Sequence, residues 1–160
     1  MDPLIIRKYP DKIIKERCVP VENITTEEKE LFEKMLFTMR HFCGIGLAAP
    51  QIGISKRLIV AEVEAKVIKL ANPEIIETKG NDKMEEGCLS VPDTIVKIER
   101  PYEIIVRGLN EKRDKVEIKT EGLLARVLQH EIDHLNGRLI IDYMTILEEL
   151  NFKLKDRRRF

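Results

Sequence analysis

Apolar residues recur at helical spacing early in the chain, where Leu31, Met35, Met39 and Phe42 fall on one side of "TTEEKELFEKMLFTMRHFCG". Thr25 with Glu28 three residues later is a capping-box pattern, and Gly44 is placed to end the helix. The period is then lost in "GIGLAAPQIG", residues 44–53, which is too rich in glycine and small residues for a regular element. Short β-branched runs follow: "RLIVAEV", "KVIKLANPEIIETK", "TIVKI", "YEIIVRG" and "KVEIKT". Turn signals at Asn72-Pro73, Gly80-Asn81-Asp82 and Gly108-Leu109-Asn110 separate them. Helical spacing returns from about Glu121 to Asn136, with Gly137 as its stop. A last helix is predicted near Thr145, whose spacing to Glu148 is another capping box. Helix, several strands, then helix predicts α+β with antiparallel sheets rather than βαβ alternation. The pattern is that of one domain over residues 1–160, with the sheets packed around a central helix that carries "HEIDH".

Composition narrows the class. Apolar residues make up 43% and charged residues 35%, as in a soluble globular protein, and 28 basic residues balance 28 acidic ones. A zero net charge gives no global pull toward nucleic acid or an acidic membrane. No apolar run has the length of a membrane span, and "MDPLIIRKYPDKII" lacks a secretory apolar core. The cysteines, Cys18, Cys43 and Cys88, are widely spaced without a CxxC pair. A reducing, cytoplasmic setting is expected, with no disulfide scaffold. "KLKDRRRF" is locally basic and reads as a solvated helix end, with contact to RNA or an acidic surface as the alternative.

The candidate chemistry begins in "LLARVLQHEIDHLNG", residues 123–137. His130 and His134 lie one turn apart on a stripe shared with Leu123 and Val127, so both imidazoles project toward the interior. A divalent metal fits this spacing; the alternative is a core helix whose histidines bond backbone carbonyls. A catalytic metal usually takes three protein ligands, and no Glu or His stands downstream where zinc peptidases place theirs. His41 is expected to serve as a cation at the end of the first helix. Cys88 in "EEGCLSVP" is the remaining strong ligand, and Gly87 beside it lets backbone approach a metal or substrate; otherwise Cys88 is a small buried hydrophobe. In "GIGLAAPQ", the Gln51 amide is suited to stabilise a developing oxyanion; otherwise it is a surface residue of a packing loop.

"GIGLAAPQ", "EGCLS" and "QHEIDH", in that order, resemble the three signature motifs of the peptide deformylases, and the resemblance runs from "PDKIIKERCVPV" to "DHLNGRLIIDYM". It implies that Cys88, His130 and His134 are metal ligands and that Glu131 is the general base. It also makes Gln51 and the backbone N–H of Leu89 the oxyanion donors. Backbone at Ile45 and Gly46 would pair with the substrate, and Ile45, Met84, Leu123, Arg126 and Val127 would line the pocket for its first side chain. The implied reaction removes the N-formyl group from the initiator methionine of nascent polypeptides. The implied cofactor is one divalent ion, Fe(II) first, with zinc, nickel or cobalt able to replace it. Asp133 would pair with Arg100. Two departures bear on substrate preference: Ile95 stands where some members carry Arg, and Arg126 replaces an apolar pocket residue. The Arg126 stem is expected to line the pocket with its head in water. Docking of the basic C-terminus on the ribosome is a further implication. The rival readings are a zinc peptidase of the HExxH type and a metal-stabilised binding module.

Overall fold

The computed structural model describes residues 1–158. Helix α1 (Thr26–His41) opens on the expected capping box, with the Thr25 N–H donating to the Glu28 carboxylate at 2.9 Å. Its buried face holds Leu31, Phe32, Met35, Leu36 and Met39. Phe42 lies beyond the helix and is exposed, so it does not extend the stripe. The stop also differs from expectation. Cys43, not Gly44, takes the left-handed conformation (φ 59°), and the Gly44 N–H returns to the Met39 carbonyl.

"GIGLAAPQIG" is more regular than its composition suggests. It forms a short strand β1 (Gly46–Ala48) and a 3₁₀ turn over Ala49–Ile52. Strands β2 (Leu58–Val63), β3 (Lys66–Lys79), β4 (Asp82–Cys88), β5 (Val91–Arg100), β6 (Glu103–Leu109) and β7 (Lys115–Glu121) follow. They make two antiparallel sheets, one in the order β1-β2-β3-β6-β7 and the other the pair β4-β5. Asn72-Pro73 does not end a strand. It lies in an irregularity of β3 where the register against β6 shifts, with Asn72 at φ 51°. β4 has no counterpart among the apolar runs, because "DKMEEGC" buries only Glu86.

Helix α2 (Gly122–Leu135) packs its buried face on the larger sheet. Leu124, Ala125, Val127, Leu128, Ile132 and Leu135 join Ile59, Ala61, Ile68, Leu70, Ile104 and Val106 in one apolar cluster. Gly137 ends this region at φ 74°; a side chain there would meet the Lys15 carbonyl. Helix α3 (Ile146–Arg158) starts with the Thr145–Glu148 box. The "KLKDRRRF" tail lies at its end, with Arg159 and Phe160 outside the described residues. The architecture is thus mixed α and β with antiparallel sheets. No helix among the described residues is long and apolar enough to cross a membrane.

Candidate active site

The edge of β1, the edge of β4 and one side of α2 enclose a cleft of about 460 Å³. Gly44, Ile45 and Gly46 line it on one side, Met84 through Leu89 on the other, and Leu123, Arg126, Val127, His130 and Glu131 from the helix. Of the residues singled out as metal ligands, catalytic groups or substrate contacts, all but His134 lie on this lining, while Ile95, Arg100 and Asp133 stand outside it. Ile95 is exposed beside it, with its Cδ1 close to where a side chain at Gly87 would sit.

At the base of the cleft three donor atoms converge. The His130 and His134 Nε2 atoms are 3.2 Å apart, and the Cys88 Sγ is 3.4 Å from His134 Nε2. Tetrahedral bonds of about 2.0–2.1 Å to nitrogen and 2.3 Å to sulfur separate donors by roughly 3.3–3.6 Å. The spacing therefore fits a divalent metal. Burial pulls His130 down, but the Cys88 sulfur and the Glu86 carboxylate outweigh it and lift this imidazole well above the ordinary range. Burial and the charge on His130 push His134 well below it. The two facing imidazoles are thus driven in opposite directions, while the convergence of their Nε2 atoms with the Cys88 sulfur is what suits a cation. Among the described residues these three are the cluster with metal-ligand spacing.

Glu131 is buried beside them, and its Oε2 has no hydrogen-bond partner. Burial pushes its carboxyl up to about 7, against the opposing pull of His130. Glycine at position 46 makes room for it: a Cβ there would lie 2.5 Å from Glu131 Oε1 and 2.8 Å from Val127 Cγ1. Gln51 is buried rather than on the surface. Its Oε1 accepts from the Ala48 N–H at 3.0 Å, which aims the amide NH₂ at Ser90 Oγ (3.1 Å) and toward Cys88 Sγ (3.7 Å).

A scan of protein families matches residues 3–149 to the one described as Polypeptide deformylase. The peptide deformylase of Halothermothrix orenii is 49% identical over 151 residues, covering 93% of this chain and 98% of the relative. This chain belongs to the polypeptide deformylase family. The structural likeness agrees. The crystal structure of the Thermotoga maritima peptide deformylase superposes with a TM-score of 0.87 at 43% identity, over 91% of this chain and 99% of that one. The Ehrlichia chaffeensis peptide deformylase in complex with actinonin gives 0.93 at 35% identity, over 100% of both chains.

Within this deformylase-family site one expectation fails. Arg126 does not send its head to water: the residue is buried, and its guanidinium donates to Glu86 Oε2 (2.6 Å), the Ile98 carbonyl (2.9 Å) and the Asp82 carbonyl (2.8 Å). Glu86 itself was not among the sequence candidates. It accepts from Arg100 through both oxygens (2.6 and 2.9 Å) and meets His130 Nδ1 at 2.8 Å. A carboxylate on the far nitrogen fixes the imidazole tautomer so that Nε2 faces His134 and Cys88. Burial alone would raise Glu86, but His130 and Arg100 bring it down to about 2. The available signal was parity, since Glu86 and Cys88 stand two apart on one strand. The Asp133–Arg100 pair forms at 2.8 Å, and the Tyr143 hydroxyl, also unanticipated, donates to Asp133 at 2.6 Å. His41 sits at the exposed end of α1, stacked on Phe37, away from the cleft.

Proposed function

We propose that this chain binds one divalent metal through Cys88, His130 and His134 and uses Glu131 to deformylate the N-terminal methionine of new polypeptides, releasing formate. Metal-dependent removal of the N-formyl group is the activity of its family. The observation that carries the residue roles is the convergence of one sulfur and two Nε2 atoms beside the unpartnered Glu131 carboxylate oxygen. A divalent ion held by these residues would supply a more acidic water and a polarised carbonyl. Glu131 takes a proton from the attacking water and hands it to the leaving amine. The Gln51 NH₂, already oriented by Ala48, and the Leu89 N–H donate to the oxygen on which negative charge builds.

The substrate enters as an added strand between β1 and β4, using backbone at Ile45, Gly46 and Gly87. Its methionine side chain occupies the pocket formed by Met84, Leu123, Val127 and the stem of Arg126. Helix α2, with two ligands and the base in its HExxH turn, organises this arrangement, and residues 1–160 act as one catalytic domain. One thiolate and two imidazoles suit Fe(II), with zinc, nickel or cobalt as replacements. The enzyme works in the cytoplasm, where nascent chains are made, and the basic end of α3 is a candidate contact for the ribosome. The comparisons do not favour cleavage of internal peptide bonds.

The test is formate release from formyl-Met peptides by the protein loaded with Fe(II) or nickel under anaerobic conditions. Acetyl-Met peptides are expected to be poor substrates, because the extra methyl crowds the carbonyl carbon. A correctly folded, metal-loaded protein that releases no formate overturns the proposal.

A further inference from the structure

The ligands of this site come from two separate pieces of the fold. Cys88 ends β4, whereas His130 and His134 belong to α2. Those pieces bury their apolar side chains in different places. The α2 residues pack with the larger sheet, while Val91, Val96 and Ile98 of β5 pack with Ile14, Leu139 and Ile140. What ties α2 to the β4–β5 pair is polar and buried.

Arg126 makes that tie one helical turn before His130. Its guanidinium reaches Glu86 of β4, the carbonyl of Ile98 on β5 and the carbonyl of Asp82 at the start of β4. One planar group on the helix thereby holds both strands. Glu86 is saturated as a result: Arg100 Nε and Arg126 Nη1 both donate to Oε2, while Arg100 Nη2 and His130 Nδ1 meet Oε1. Two guanidiniums fix the carboxylate plane, and that plane fixes the direction of His130. Arg100 reaches α2 through Asp133, a second and longer route to the same helix.

We propose that Arg126 is a positioning residue for the metal ligands, setting through Glu86 the orientation of His130 and the placement of the Cys88 strand against α2. The proposal rests on the ligand assignment made above. It gives Arg126 two tasks, since its stem also lines the cleft. A lysine offers one compact charge in place of the fork, so it can meet Glu86 but cannot hold both carbonyls as well.

The test uses the full-length protein loaded with cobalt(II), whose visible absorption reports ligand geometry, with Arg126→Met, Arg126→Lys and Glu86→Gln beside the wild type. Arg126→Met is expected to give up its metal to a competing chelator at 10- to 100-fold lower chelator concentration. Its cobalt bands should shift, and kcat should fall more than KM changes. Arg126→Lys should lie between it and the wild type. If Arg126→Met does not fold, a shifted spectrum and weaker metal retention in Arg126→Lys and Glu86→Gln support the same conclusion. Wild-type bands and wild-type chelator resistance in the folded Arg126 variants overturn the proposal, whether the variants lose only thermal stability or only raise KM. The ligand assignment is judged separately: wild-type protein that binds no cobalt overturns that assignment, whatever the variants do.

Discussion

Glu131 and Cys88 stand within one cleft, yet their removal should have different consequences. Glu131 has an oxygen without a partner and a carboxyl pushed up to about 7, suited to passing a proton near neutrality. Glu131→Gln keeps the shape and is expected to retain the metal while losing about 10²–10⁴ in kcat. On the proposed ligand set, Cys88→Ala should lower metal content and rate together. Metal analysis beside formate release separates the two, and a Glu131→Gln protein that arrives metal-free would show the carboxylate to be a ligand instead. At this scale the sequence was most readable where residues that converge in the cleft share a short spacing. His130 and His134 announce themselves by one helical turn, and Cys88 and Gln51 by their glycine-rich surroundings. Glu86, Ser90 and the true direction of the Arg126 head were hidden, because each depends on which strand lies across from which helix turn.

Elements were legible in proportion to their apolar faces. α1, α2 and the strands β2, β6 and β7 follow the hydrophobic pattern closely. β4 was invisible because its inward residues serve the cleft and an ion cluster, so its sequence carries Glu86 where a core strand would carry Val or Ile. The start of α1 gives a stability test. The Thr25 hydroxyl, first, with the Thr25 N–H and Lys56 in support, holds the Glu28 carboxyl down at about 2 despite its burial. A depressed carboxyl contributes fully above its unfolded value, about 4.3, and the contribution drains away as pH falls toward 2. Thr25→Ala should therefore cost about 1 kcal/mol near neutral pH, with the difference from wild type shrinking between pH 4.5 and 2. Urea unfolding at a series of pH values checks this, and an equal loss at pH 6 and pH 2.5 would contradict it.

The whole molecule places its chemistry at a junction. A five-stranded sheet, a two-stranded sheet and the helix between them meet at one cleft, and Cys88, His130 and His134 draw on two of the three. An ion held there binds the native state alone and should stabilise it by RT ln(1 + [L]/Kd), about 4 kcal/mol at a thousandfold excess over Kd. Stripping the ion with a chelator should lower Tm by roughly 10 °C, and returning metal should restore it. Calorimetry on the stripped and reloaded protein tests this; identical melting curves would place the ion outside the folded framework.

The two strands that border the cleft are both unpaired on the cleft side, β1 as the last strand of its sheet and β4 as one half of a pair. An exposed edge ordinarily invites unwanted association, and proteins shield such edges with lysine, proline or bulges. β1 offers only Gly-Leu-Ala, with none of those guards. Its shortness is the protection that remains, since three residues are too few to template a fibre, and under the proposed strand addition they would still suffice to pair with one chain end. Main-chain atoms are the same in every polypeptide. An enzyme that read them in the proposed way, and reserved side-chain reading for one position, would serve the entire output of translation without favouring any gene product.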